Sequence, residues 1–276
     1  MMLSIITVVL NDRAGLLRTF NSVFNQSYSH YEYIVIDGGS TDGTIEVIEQ
    51  FADKITYWQS EKDSGIYNAM NKGINKAKGD YIGFMNAGDY YVDDIFSKVF
   101  AETNIGFDIL YGNQYFVKED GRVLLKTKPS VLSMYDFYVG SLYHQASFIK
   151  RSLFENDQYN ENLRIISDAE FYLKKIIYEG ASYKHVGLEM SYYNTEGLSS
   201  SSKAKDIIKK ERAYLYKKYF NEMSLADYEM LKEYKTSKLV HMIPEINKMD
   251  RFGDYITKIV QLQVYLYRLF KRARHV

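Results

Sequence analysis

The chain has 276 residues, 46% hydrophobic and 25% charged, with 17 Gly and 2 Pro, a balance that suits a globular chain and excludes disorder as its main state. Cysteine is absent, which excludes disulfides, thiolate zinc sites and thiol nucleophiles. The net charge is zero, yet residues 1–202 carry −8 and residues 203–276 carry +8; a neutral total argues against general nucleic-acid binding, while the split sets a basic tail on an acidic body.

The opening MMLSIITVVLND has no basic leader and turns polar after ten residues, and nowhere do about 18 apolar residues run together, so no export signal or membrane span is expected. Leu3 to Val9 is a continuous apolar run of the kind buried on both faces of a parallel sheet. A helix over 14–26 follows, with Leu17, Phe20 and Phe24 on one face, then a second buried strand, Glu32 to Asp37. The turn 38–43 leads to a helix carrying Ile45, Ile48 and Ala52. Ile55 to Ser60 predicts a third strand, Ile66 to Ala77 a helix with apolar residues at helical spacing, and Tyr81 to Met85 a fourth strand. Strands alternating with single helices predict a mostly parallel α/β sheet covered on both faces.

Past Asp89 the pattern changes. A helix is expected near 93–103, a strand over 107–112, a hairpin turning at Asp120-Gly121, a strand over 144–149, a helix over 168–178 and a strand over 182–188. The Ser-rich stretch 197–202 reads as a link to helices near 204–220, 225–242 and 252–272. This divides the chain into an α/β domain, 1–202, and a basic helical extension, 203–276.

Ligands of open α/β sheets bind outside the carboxyl ends of the strands. Asp37 closes the second strand, Asp63 follows the third and Asp89 follows the fourth, so three carboxylates come to one edge. Turn chemistry alone favours Asp at each position taken singly. No G-x-G-x-x-G follows the first strand and no P-loop is present, so a diphosphate here calls for a metal ion, and an oxygen ligand such as Asp89 suits Mg²⁺ or Mn²⁺.

Four blocks, SIITVVLND, EYIVIDGGSTDGT, DSGIYNAMNKG and AKGDYIGFMNAGD, resemble in order and spacing those of the inverting glycosyltransferases of family 2, with the GT-A fold. The resemblance implies that Thr7 and Val9 line a nucleobase pocket, that Asp37 accepts a hydrogen bond from the base, usually uracil, and that Asp63 is a further donor-side residue. Asn86-Ala87-Gly88-Asp89 stands at the family's metal motif, with Asp89 as metal ligand and Gly88 where a ribose-contacting carboxylate is often found. His144, in an His-Gln pair, is implied to contact donor phosphate or acceptor hydroxyl, and Asp168 to be the catalytic base. Asp168 also has local reasons to be there: Ser167 and Glu170 form a capping-box pattern, and an acid in a first turn meets the helix dipole. Lys72, Lys76 and Lys78 read as a solvated helix face.

The activity so implied is transfer of a hexosyl or N-acetylhexosaminyl group from a nucleotide-diphosphate sugar to a saccharide or lipid-linked saccharide, in polysaccharide or glycolipid assembly. Two alternatives are a sugar-nucleotide nucleotidyltransferase, whose Gly-rich basic loop Asn11 to Gly15 does not supply, and a non-catalytic module, which intact Asp89 and Asp168 disfavour. The final stretch places Ile256, Ile259, Val260, Tyr267 and Phe270 near one face and ends in Arg268, Lys271, Arg272 and Arg274. It is expected either to hold a cytoplasmic enzyme on the anionic inner face of the cell membrane or to pack on the protein or in a homodimer.

Overall fold

The computed structural model describes residues 1–100, 106–195, 197, 202–237 and 258–267. These form two compact units, Met1–Leu215 and Tyr216–Val276.

The first unit is built on one mixed sheet. β1 (Leu3–Val9) lies between β2 (Tyr31–Asp37) and β4 (Tyr81–Phe84), parallel to both, and β3 (Tyr57–Ser60) adds outside β2. All seven residues of β1 are buried, as expected of a strand covered on both faces. The crossovers are α1 (Arg13–Phe24), α2 (Thr44–Gln50) and α3 (Ile66–Lys76). From α1, Leu16, Phe20 and Val23 are fully buried with Leu3, Ile5 and Val35 of the sheet.

The second half of the sheet departs from the parallel pattern. It is formed by the short β5 (Tyr90–Tyr91), β6 (Ile109–Val117), β7 (Val123–Lys126), β8 (Ser147–Lys150) and β9 (Tyr183–Asn194). The order is β3-β2-β1-β4-β8-β6-β9-β5, with β7 paired to β6 beyond β8. β8 runs antiparallel to β4 and β6, whereas β6 and β9 are parallel.

Several expected boundaries move. The strand at 144–149 begins instead as a 3-10 turn, His144–Ala146, with β8 following. The last strand runs on to Asn194 because its outer residues pair with β5 as well as β6. The helix near 93–103 is the short α4 (Ile95–Val99), and 101–105 lie outside the described residues. The expected helix over 168–178 is α6 (Ser167–Tyr172), continued by a π-helical turn, Leu173–Tyr178. A further short helix, α5 (Met134–Val139), precedes the 3-10 turn and carries a capping box, Ser133 with Asp136.

α7 (Ser202–Tyr219) starts in the first unit, where Ala204, Glu211 and Leu215 are buried. In the second unit α8 (Glu222–Thr236) is capped by Asn221, whose side chain accepts from the Ser224 N–H at 2.7 Å, and residues 258–267 are helical. Ile256, Arg268, Phe270, Lys271, Arg272 and Arg274 lie outside the described residues.

Candidate active site

The carboxyl ends of β1, β2 and β4 carry the polar residues singled out above. Asp37, last in β2, is fully buried. Its Oδ2 accepts from the Gly39 N–H (2.9 Å), the Ser40 N–H (2.9 Å) and the Ser60 hydroxyl (2.6 Å), whereas its Oδ1 is buried with no hydrogen-bond partner. A buried unmatched acceptor is costly unless a ligand satisfies it. Asp63 leans over the same spot: its Oδ2 is 2.5 Å from where a Cβ would stand on Gly38, so glycine there lets it approach. Thr7 is spent in the core, its hydroxyl 2.8 Å from that of Tyr33, and Val9 is 5% exposed.

After β4 the chain turns through Asn86, Ala87, Gly88 and Asp89, closed by the Asp89 N–H on the Asn86 carbonyl at 3.1 Å and tied to β1 by the Ala87 N–H on Val8. Gly88 has φ +94°, and a Cβ there would stand 3.2 Å from Asp12 Oδ2, so both the backbone and the neighbouring carboxylate favour glycine. Asp12 is the N-cap of α1, its Oδ1 accepting from the Gly15 N–H at 2.9 Å.

Asp89 is 5% exposed. Its Oδ1 accepts from the Asn194 N–H and its Oδ2 from Gln145 Nε2, both at 2.8 Å. Burial nevertheless pushes its pKa up to about 7, against the lowering effect of those two bonds and of His144.

Asp168 lies in the first turn of α6. His144 Nδ1 is 3.3 Å from its Oδ2, and Tyr67 Oη is 2.9 Å from its Oδ1 and 2.6 Å from the Ile165 carbonyl. The other ring nitrogen of His144 is 3.3 Å from Asn86 Nδ2. His144 thus bridges Asp168 and Asn86 through its two ring nitrogens. His144 and Gln145 are neighbours in one 3-10 turn, so a single turn of chain grips Asp168 with one side chain and Asp89 with the next.

The capping box expected at Ser167 is not made. Ser167 Oγ is buried without a partner, and Glu170 Oε2 accepts from Asn160 at 2.8 Å. The entry to α6 is held from afar: the buried Glu211 of α7 accepts the N–H groups of Arg164 (2.6 Å), Ile165 (3.1 Å) and Ile166 (3.1 Å). Lys72 and Lys76 are engaged, the first 2.7 Å from Glu61 and the second over the Tyr57 ring at 4.7 Å.

Asp12, Gln145, Asn194, Tyr67 and Glu211 were not singled out by sequence reasoning. Only the His-Gln pair and the acid at the start of α1 leave a local trace; the others act across 45 to 105 residues of chain.

The family model described as glycosyl transferase family 2 matches residues 4–177. The chain belongs to this family. It is similar to an uncharacterised glycosyltransferase of Mycobacterium tuberculosis, 36% identical over 62% of this chain and 67% of that one. It is also similar to a PGL/p-HBAD biosynthesis glycosyltransferase of Mycobacterium bovis, 27% identical over 76% of this chain and 83% of that one. Among solved structures, S. aureus TarS 1-349 in complex with UDP-GlcNAc superposes with a TM-score of 0.63 at 19% identity, over 88% of this chain and 75% of that one. The chain spans 45% of the longer TarS chain. A mannosyltransferase from Pyrobaculum calidifontis in complex with GDP-Man and Mn²⁺ gives 0.53 at 16% identity, over 69% of this chain and 56% of that one. The fold of this family 2 glycosyltransferase is therefore GT-A, as expected, with its antiparallel strands added beyond β4.

Proposed function

We propose that this glycosyltransferase moves a hexose or N-acetylhexosamine from UDP to a hydroxyl of a glycan or lipid-linked saccharide, with inversion at the anomeric carbon. The observation that carries the reading is the His144–Gln145 turn, which holds one carboxylate for a proton and another for the leaving group. Asp168 takes the acceptor hydroxyl proton as that oxygen attacks the anomeric carbon. The new C–O bond forms on the face opposite the diphosphate, and UDP departs with the electron pair of the bond it leaves. His144 and Tyr67 keep the Asp168 carboxylate aimed, and holding both reactants in line supplies further acceleration.

Asp37 supports UDP as donor. Guanine presents adjacent N1–H and N2–H donors that engage both oxygens of a carboxylate, but Oδ2 of Asp37 already serves three protein donors. The single remaining acceptor, Oδ1, matches the one N3–H of uracil. Thr7 and Val9 lie behind this base site, Asp63 lies beside it, and the Asn86-Ala87-Gly88 turn with His144 borders the diphosphate.

A Mn²⁺ or Mg²⁺ ion fits the donor set beside Asp89. Asn86 Oδ1 is a buried oxygen without a partner, and Asp89 is a carboxylate whose charge burial opposes; both are hard oxygens of the kind these ions take. Among the described residues no three acidic, His or Cys side chains converge as a cage; an ion here would be held by Asp89 and Asn86, with its remaining ligands from outside the protein. When bound, it would neutralise charge gathering on the diphosphate.

We place this enzyme in the cytoplasm, held by its basic C-terminal quarter at the inner leaflet, in polysaccharide or glycolipid assembly. The charge split supports attachment, and among the described residues no helix is long and apolar enough to cross a membrane.

Released UDP across a panel of nucleotide sugars with Mn²⁺ tests the reaction. Asp168→Asn is expected to lower turnover on the order of 10² to 10⁴-fold while retaining UDP affinity. Transfer within about tenfold of wild type would assign the base elsewhere, and no release from any UDP-sugar would overturn the donor.

A further inference from the structure

Strand register sets out what lies beyond the catalytic carboxylates on the same face of the sheet. Gln114 of β6 has its Nε2 3.4 Å from Gln145 Oε1 and 3.0 Å from Ser191 Oγ, so its face of β6 is the one on which the His144–Gln145 turn sits. Side chains two apart share a face, which puts Phe116 there, in register with Tyr193 of β9 and Leu124 of β7. The Phe116 ring packs on Tyr193 at 5.0 Å and on Tyr143 at 5.5 Å. Tyr143 immediately precedes His144, and Tyr193 immediately precedes Asn194, whose N–H holds Asp89. Two of the three rings are thus carried by residues next in the chain to those that contact Asp168 and Asp89.

Outward from the rings lies a cleft of about 430 Å³, lined by Phe116, Lys118, Glu119, Asp120, Arg122 and Thr195. Its volume lies within the ~300–1,000 Å³ range of small-ligand sites. Its chemistry narrows the occupant. An acyl chain is disfavoured by a wall with one ring and four charged side chains. A phosphate group is disfavoured because the two cations are matched by two carboxylates, with Arg122 Nη2 already 2.7 Å from Asp120. A sugar matches on both counts, since its apolar C–H face lies on a ring and its vicinal hydroxyls donate to carboxylates and accept from ammonium or guanidinium groups.

We propose that the Phe116 shelf and the mouth of the β6–β7 hairpin form an acceptor subsite for the second and later sugars of an oligosaccharide, whose terminal hydroxyl reaches Asp168. This rests on the glycosyltransferase reading and goes beyond it by naming the acceptor as a saccharide of at least two units. A bare lipid or a single sugar would leave the cleft unused.

The test is retention of the full chain on a printed array of mono- to hexasaccharides, with calorimetry of UDP and Mn²⁺ as a separate readout. Wild type is expected to hold a subset of di- and longer saccharides at least tenfold more strongly than their terminal monosaccharides. Phe116→Ala and Glu119→Gln should each cut that retention about tenfold, with UDP affinity within twofold of wild type. Glu119 is exposed on the hairpin, so the second variant leaves the packed rings intact. Equal retention by wild type and both variants, monosaccharides held as well as longer chains, or no glycan held at all would overturn the subsite. A wild-type chain that binds no UDP would instead overturn the donor reading, whatever the array shows.

Discussion

Burial of Asp89 opposes its ionisation, and the sign of that effect sets a pH dependence. Its pKa moves from 3.8 to about 7 on folding, so the native state binds the proton more tightly than the unfolded chain. This contribution to stability is complete below pH ~4, is lost as the pH rises through ~7, and amounts to roughly 4 kcal/mol. In metal-free buffer the unfolding free energy should therefore decline across that window, and Asp89→Asn should flatten the decline. At pH 8 Mn²⁺ with UDP should restore stability to wild type and not to the variant. Denaturant titrations from pH 4 to 8 check this, and identical profiles for the two chains would overturn it. Residues of this kind were legible in part: Asp37, Asp89 and Asp168 announce themselves by standing at strand ends or a helix start. Of their partners only Gln145 leaves a trace, in the His-Gln pair, because Asn194 and Tyr67 reach them only once segments distant in the chain are brought together.

At the scale of elements, the parallel half of the sheet was readable because each strand is a continuous apolar run with a helix behind it. The other half was not. β5 is two residues long, too short for any periodicity, and the outer part of β9 is half-polar because it borders the site. The start of α6 shows how a local signature can mislead: Ser167 and Glu170 read as a capping box, yet α7 supplies the cap through Glu211. Glu211→Ala should leave the buried Ile166 N–H unpaired and turn the part-buried Arg164 and Ile165 N–H groups over to water, a loss of about 1–3 kcal/mol. That lowers Tm by roughly 2–12 °C in a unit of this size. Because the same loop presents Ile165 to Tyr67 and leads into Asp168, turnover should fall with UDP affinity kept. Calorimetric scanning beside UDP-release kinetics measures both, and a Tm change under 2 °C would show that α7 does not anchor the loop.

For the whole molecule, the charge division between the acidic body and the basic C-terminal quarter makes the proposed membrane attachment a question of salt. Arg268, Lys271, Arg272 and Arg274 at about 1 kcal/mol each contribute roughly 4 kcal/mol near an anionic leaflet, about a thousandfold in partitioning. Replacing all four by Gln should abolish most co-sedimentation with anionic vesicles at low salt, and high salt should do the same to wild type. Binding that ignores both salt and these substitutions would assign the tail to packing or dimerisation. Within the first unit, the side chains that hold Asp168 and Asp89 come from His144 and Gln145, one peptide unit apart, about 3.8 Å between Cα atoms. β8, which follows directly, is paired to β4 and β6 in the interior of the sheet, so the turn that carries both side chains is anchored at its C-terminal end. The β6–β7 hairpin has no such anchor on its outer strand, all four residues of β7 being exposed, so on the proposed reading changes of length and sequence there should disturb the turn least.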